Sequence, residues 1–234
     1  LLIKYQKELK KRNEELRKFA KTVSHDLKSP LSNIISLTDF LNEENEGKLS
    51  EESQNYIEYL RSSSQSLKKY VDGLLKYYKN DELLENRFEL IPVNEIFNEL
   101  QQIADSERKV KFILKGNSNA IFTNKSALLQ IMINLVTNAI KYNHTGNPEL
   151  EINFSENEQQ YYIYVKDNGD GIPKELLNKV FDLFKIVGIA DKDGKMGSGI
   201  GLASVKKITE NLGGIVNVDS TIGVGSTFSI TIPK

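Results

Sequence analysis

The 234 residues contain no cysteine and only two histidines, His25 and His144. The first absence excludes a disulfide scaffold and thiolate metal sites, and fits a reducing compartment. The second excludes a multi-histidine zinc site. Neither sign of charge dominates: 31 Lys and Arg against 32 Asp and Glu leave a net charge of −1. A nucleic-acid binder would carry a strong basic excess, so no nucleic acid is expected as a partner. No long hydrophobic run occurs. The most apolar stretch, LLQIMINLV at 128–136, is too short for a bilayer and contains Gln130 and Asn134. The chain opens with Leu1 rather than Met. It reads as a fragment without membrane contact of its own, whose missing segments could still anchor the whole protein.

Glycine and proline are scarce early on: before position 73 there is one Gly, at 47, and one Pro, at 30. Residues 1–80 are helical in pattern. Leu2, Tyr5, Leu9, Arg12, Leu16, Phe19 and Val23 alternate spacings of three and four, a heptad seam that predicts pairing with another helix. The first 28 residues carry nine Lys/Arg and four Asp/Glu, which reads as a solvated helix face. A Glu-, Asn- and Gly-rich loop follows at 43–50. Ser50 and Ser53, with Glu51 and Glu52, suit a helix start with an acidic first turn. Ile57, Leu60, Ser64, Leu67, Val71, Leu74 and Tyr78 form a second seam. A lone hairpin buries such stripes poorly, and two copies would close a four-helix bundle. A homodimer through residues 1–80 is therefore expected.

Residues 81–88 are expected to be a linker, and 89–234 a second domain. Its pattern predicts an amphipathic helix at 93–107, a strand at 109–116, a long helix at 125–143 and paired strands at 150–156 and 161–167. A glycine loop then feeds a helix within 197–214, and a hairpin closes the chain. The fold expected is a helical hairpin forming a dimeric four-helix bundle, then an α+β sandwich: one mixed sheet with helices on one face.

Three groups of residues carry chemistry. His25, in VSHDLKSPL, lies two positions round from the seam residue Val23, so it should face solvent. Asp26 is adjacent, and Pro30 should distort the helix by removing its hydrogen bond to residue 26. An exposed imidazole beside a carboxylate is a plausible phosphoryl acceptor. On helix 125–143, Asn134, Asn138 and Lys141 share one face. Their bland reading is satisfied core amides. The functional one is an amide oxygen on Mg²⁺, with Lys141 near phosphate. The glycine segments DNGDGIP at 167–173 and GSGIGL at 197–202 let backbone approach a ligand closely and offer helix amides to an anion. GSGIGL is not a Walker motif, since no GK[ST] follows, and its place in the chain does not suit a Rossmann fold.

These motifs resemble those of the sensor histidine kinases of two-component signalling, over nearly the whole chain. SHDLKSPL is similar to the H box, INLVTNAIKYN to the N box, DNGDGIP to the first glycine box, FDLF to the F box and GSGIGL to the second. The resemblance implies a signalling-helix start at 1–20, a dimerisation and phosphoacceptor domain at 21–80 and a GHKL-type ATP-binding domain at 89–234. ATP and Mg²⁺ are the implied cofactors, and the receiver domain of a response regulator the implied partner. A cytoplasmic region of a membrane-anchored sensor is implied too. His25 would be the phosphoacceptor, assisted by Asp26. Asn138 would be the metal ligand and Asn134 would contact phosphate or metal-bound water. Lys141 would touch phosphate and Tyr142 would stack near adenine. Asp167 would accept from the adenine amino group, with Gly169 and Gly171 leaving room for the base. Gly197, Gly199 and Gly201 would cradle the phosphates, and Thr227 would bond near the adenine. Residues 185–199 would form a mobile lid over Phe181 and Phe184.

Ser29 stands where a related family motif has Thr or Asn, and its hydroxyl could orient water for a phosphatase reaction. Asp170, an acid between the box glycines, is expected to face solvent, away from a triphosphate. His144 reads as a loop histidine. The rivals are a GHKL-type ATPase and a nucleotide-binding pseudokinase or dimeric scaffold. In the ATPases the residue four before the metal-binding Asn is a glutamate that activates water. Here it is Asn134, which cannot serve as a base.

Overall fold

A computed structural model describes residues 2–79, 87–104, 110–186 and 197–234. The chain divides into two compact units, Leu1–Lys79 and Asn80–Lys234. Among the described residues, no helix is long and apolar enough to cross a membrane.

The first unit is a hairpin of α1 (Leu2–Glu44) and α2 (Glu51–Lys79). Ser50 opens α2 as expected, its Oγ accepting the Ser53 N–H at 3.2 Å. Glu51 and Glu52 occupy the first turn and Lys76 and Lys79 the last, both signs favoured by the helix dipole. The helix α1 runs on through Pro30 without a break. Among the described side chains, Ala20, Ser24, Leu31 and Thr38 of α1 and Ile57, Ser64 and Val71 of α2 are the buried positions. The seam expected on α2 splits. Every seventh residue from Ile57 turns inward, whereas Leu60 and Leu67 remain exposed. A matching exposed stripe of Leu27, Ile34, Leu37 and Leu41 runs along α1.

Polar rungs fix the hairpin's register. Lys28 pairs with Asp72 at 2.5 Å, Lys68 donates to Ser32 at 3.1 Å, and Arg61 meets Asp39 at 2.8 Å. As the α1 partner steps four and then seven residues toward the loop, the α2 partner steps back equally. Each rung is partly exposed and adds at most about 1 kcal/mol. Together they penalise any slip of one helix along the other.

The second unit holds β1 (Phe88–Pro92), α3 (Val93–Ala104), β2 (Lys111–Lys115), β3 (Ala120–Asn124), α4 (Lys125–Lys141), β4 (Glu149–Glu156) and β5 (Gln160–Asp167). A 3₁₀ turn (Lys174–Lys179), α5 (Gly201–Asn211), β6 (Ile215–Thr221) and β7 (Gly225–Pro233) complete it. Five strands form one mixed sheet in the order β2-β4-β5-β7-β6, with only β2 and β4 parallel. Strand alternation turns Leu150, Ile152, Phe154, Ile163, Val165, Phe228 and Ile230 to one face. There they join Ile96 and Leu100 of α3, Leu128, Ile131, Met132 and Leu135 of α4, and Val205 and Ile208 of α5 in one core. This is the expected mixed sheet with helices on one face.

Several details differ from the sequence reading. An antiparallel ribbon of β1 and β3 was not expected. Its first strand begins at Phe88, inside the stretch assigned to the linker, whose residues 81–86 lie outside the described ones. The helix from Val93 is described to Ala104, so the expected 105–107 fall outside too. The long helix stops at Lys141 rather than 143, with Tyr142 as its C-cap donating to the Asn138 carbonyl.

Candidate functional site

The helix α1 carries the first group. Ser24 is buried in the hairpin, so the next residue turns outward, and the His25 side chain is 87% exposed. Asp26 Oδ1 lies 3.3 Å from His25 Nδ1. With Nδ1–H directed at that carboxylate, Nε2 keeps its lone pair for nucleophilic attack. Ser29 is exposed one helical turn on.

The second group lies in the sheet unit. Asn124 caps α4, its Oδ1 accepting the Ala127 N–H at 2.9 Å. This fixes the helix on which Asn134 and Asn138 follow one turn apart, both half-buried, with Lys141 exposed at the end. Gln130 Nε2 donates to Asn134 Oδ1 at 3.3 Å, but Asn134 Nδ2 is buried without a partner among the described residues. Such an orphan costs about 1–3 kcal/mol, a cost that a ligand oxygen would remove. The first residue of α5 closes on the same face. A methyl group on Gly201 would stand 3.7 Å from Asn138 Nδ2 and 4.0 Å from Asn134 Oδ1. Among the described residues, no cluster of three His, Asp or Glu could hold a metal ion. The donors present, amide oxygens, suit a hard cation that shares its coordination with a ligand.

The strand β5 ends on Asp167, 8% exposed. The Gly169 and Ser226 N–H groups donate to its Oδ1 at 2.8 and 3.2 Å, and Oδ2 accepts nothing among the described residues. Burial pushes the carboxyl above its usual range, against the pull of those two amides, and the nearby Asp170 charge adds to the rise. Gly169 backs onto the Tyr142 carbonyl, Gly171 onto the Thr221 carbonyl, and Gly197 onto the Tyr142 hydroxyl. Gly199 has φ +66°, and a Cβ there would approach Phe184 C to 2.6 Å, so only glycine fits. The two glycine segments and the asparagine helix thus meet around Tyr142.

Thr227 does not join them. On β7 the residues facing the core side, with Asp167, are Ser226 and Phe228, and alternation turns Thr227 to the other face of the sheet. Ser226 is the residue at the site, its backbone on Asp167 and its hydroxyl 2.9 Å from Ser220 Oγ. Counting by twos from the core residue Phe228 finds it.

Asp170 does not face solvent freely either. Its side chain is 26% exposed and lies 2.5 Å from His144 Nδ1. Around this pair the segment after α4 is laced to the first glycine loop: Asp170 N–H donates to Tyr142 O at 3.2 Å, and Asn143 Nδ2 to Asn168 Oδ1 at 2.7 Å. Phe181 packs edge-on against Phe228 at 6.3 Å, whereas Phe184 is exposed, has φ +64°, and donates its N–H to Gly199 O at 2.9 Å. Of the expected lid, residues 187–196 lie outside the described ones.

Comparison with known proteins places both groups. Residues 15–83 match the family model described as the His Kinase A (phospho-acceptor) domain. Residues 123–234 match that of the histidine kinase-, DNA gyrase B- and HSP90-like ATPases. Together the matches span more than three quarters of the chain. The phytochrome-like protein Cph1 of Synechocystis is 28% identical over 96% of this chain and 30% of its own length. The sensor protein SrrB of Staphylococcus aureus is 32% identical over 92% of this chain and 38% of its own length. The chain thus spans about a third of the length of these curated relatives. Among solved structures, the histidine kinase ThkA in complex with the response regulator TrrA aligns with TM-score 0.63 at 21% identity, over 98% of this chain and 66% of that one. Full-length ShkA in complex with AMPPNP aligns with TM-score 0.61 at 24% identity, over 92% and 45%. An exposed imidazole on a phosphoacceptor-type hairpin and an asparagine–glycine site on an ATPase-type sheet occur in one chain, and the chain belongs to the sensor histidine kinases.

Proposed function

We propose that this chain transfers the γ-phosphoryl group of ATP to His25 and passes it to an aspartate on the receiver domain of a response regulator. One observation carries the reading: Asn134 and Asn138 face Gly201, with a buried amide donor left unpartnered. Asn138 would hold Mg²⁺ through its amide oxygen, and the ion would neutralise charge on the polyphosphate. Asn134 Nδ2 and Lys141 would donate to phosphate oxygens, Gly197, Gly199 and Gly201 would let backbone approach them, and residues 185–199 would cover them. Tyr142 would stack near the adenine, in space left by Gly169 and Gly171, and Asp167 Oδ2 would accept from its amino group.

In the transfer, His25 Nε2 forms a bond to the γ-phosphorus as the bond to the β–γ bridging oxygen breaks. ADP carries away that electron pair. Asp26 holds the Nδ1 proton and stabilises the charged ring of the product. The receiver aspartate then displaces the histidine from phosphorus. That ThkA is solved with a response regulator and ShkA with an ATP analogue supports both halves of this reading. Residues 21–80 would dimerise through the exposed stripes of Leu27, Ile34, Leu37 and Leu41 and of Leu60 and Leu67. Sedimentation at the monomer mass would refute that. ATP and receiver domains meet in the cytoplasm, so the reaction belongs there.

Incubation with γ-labelled ATP and Mg²⁺ tests the proposal. Protein-bound label lost in acid and stable in alkali is expected. Nucleotide binding without label would instead indicate a silent scaffold.

Asp167→Asn separates stability from binding. Because burial raises the Asp167 carboxyl, its ionised form costs the folded protein stability relative to the unfolded chain. Its contribution is greatest below the ordinary carboxylate range and declines as pH rises through the raised value. The amide keeps the Oδ1 acceptor and carries no charge. Its melting temperature should equal or exceed the parent's at neutral pH, with the difference closing in acid. ATP affinity should fall about 10- to 100-fold, the worth of a hydrogen bond to a charged acceptor. A variant less stable than the parent at neutral pH would contradict this account.

A further inference from the structure

The sequence places a carboxylate, Asp170, beside a site built for a polyanion, and the structure gives it an unusual restraint. His144 grips it twice. Its backbone N–H donates to Oδ1 at 3.3 Å, and its ring Nδ1 lies 2.5 Å from Oδ2. The two residues stand 26 apart in the chain; Asp170 lies between the glycines of the first glycine box, and His144 follows directly after the N box. The grip adjoins the site directly, because Asp170 N–H is bonded to the carbonyl of Tyr142, which caps α4. That cap lies one turn beyond Asn138, about 6 Å along the helix axis. Asn143 and Asn168 make a parallel link, so the loop remains tied to α4 even when the grip is lost.

We propose that His144 is a positioning residue for the ATP polyphosphate: it holds the Asp170 carboxylate against the end of α4 and out of the anion's approach. The inference rests on the reading of this site as an ATP site. A released carboxylate that swung to about 10 Å from a doubly charged metal–ATP complex would weaken binding about fourfold at low salt, and less as salt screens it. Loss of the grip itself loosens the first glycine loop and adds to that factor.

The two ends of the grip therefore predict unequal effects, which a simple tether would not. His144→Ala loses the ring half of the grip, keeping only the long backbone N–H contact, and so loosens the charge. Asp170→Ala loses the grip and removes the charge. The measurement is KM for ATP and kcat of labelling in the full chain, for both variants, their double, and His144→Asn. An asparagine amide can donate where the ring Nδ1–H does. His144→Ala should raise KM about five- to tenfold with kcat within twofold, on the Coulomb and hydrogen-bond scales above. Asp170→Ala and the double variant should each stay within about threefold of the parent, and His144→Asn should recover most of the loss. Raising the salt should narrow the gap between the two single variants. Equal losses at both ends, or a double variant as poor as His144→Ala, would overturn the proposal and leave a structural tether. Failure of the parent chain to bind ATP would instead defeat the reading of the site, and the proposal with it.

Discussion

Replacing His25 with glutamine is expected to abolish protein-bound phosphoryl label while leaving ATP affinity within about twofold, as for a surface change outside the unit that carries the binding residues. The expectation has two parts with separate causes. Glutamine has no ring nitrogen with a free lone pair, so no bond to phosphorus can form, however well the nucleotide is held. The loss should exceed about a thousandfold, limited by assay background, since no neighbouring group substitutes for the nucleophile. The binding part follows from where the residue sits. His25 lies on α1, in the unit Leu1–Lys79, whereas the asparagines and glycines belong to Asn80–Lys234. Its side chain is 87% exposed. Its replacement therefore opens no cavity, and a stability change within about 0.5 kcal/mol is expected. Equilibrium ATP binding and label incorporation on the same preparation check both halves. Label that persists on His25→Gln would place the acceptor elsewhere. Loss of ATP binding would mean that the phosphoacceptor helix contributes to the nucleotide site.

The helices were legible because their periodicity is a local property. Asn134, Asn138 and Lys141 fall at spacings of four and three, and any helix through 125–141 must bring them to one face. The outward turn of His25 followed from its phase relative to Val23 in the same way. What escaped depends on relations that periodicity does not encode. The ribbon of β1 and β3 consists of strands of five residues each, too short for alternation to stand out, and Pro92 at an end of β1 weakens the strand signal further. Thr227 was an error of one residue, which in a strand exchanges one face for the other. The α2 seam mixed two surfaces, because a heptad supplies both positions that meet the hairpin partner and positions that remain exposed. Above all, Asp170 was read as a lone carboxylate repelled by phosphate. Its partner His144 is 26 residues away, and only the fold brings them together.

Replacing Asn138 with alanine is expected to cost labelling about a thousandfold or more, by loss of a metal ligand worth several kcal/mol of charge stabilisation. The local geometry shows why no neighbour can take over. Asn134 is one turn away, but its Oδ1 already accepts from Gln130 at 3.3 Å, which leaves its orphaned Nδ2 to serve anions rather than cations. Lys141 is cationic and would repel a metal ion. No cluster of three acidic or histidine side chains lies among the described residues to recruit the ion by another route. The substitution should leave the fold intact. Asn138 is only half-buried, and alanine is the better helix former within α4. The decisive readout is a Mg²⁺ titration. If Asn138 holds the ion, the alanine variant should need far more Mg²⁺ for any residual labelling, and Asn138→Asp, which restores a hard oxygen donor, should lower that requirement again while binding ATP less tightly through repulsion. An unchanged Mg²⁺ requirement in the alanine variant would remove Asn138 from the coordination sphere. It would assign the residue instead to the close packing of α4 against Gly201, where the loss should appear as a lower melting temperature rather than a shifted metal dependence.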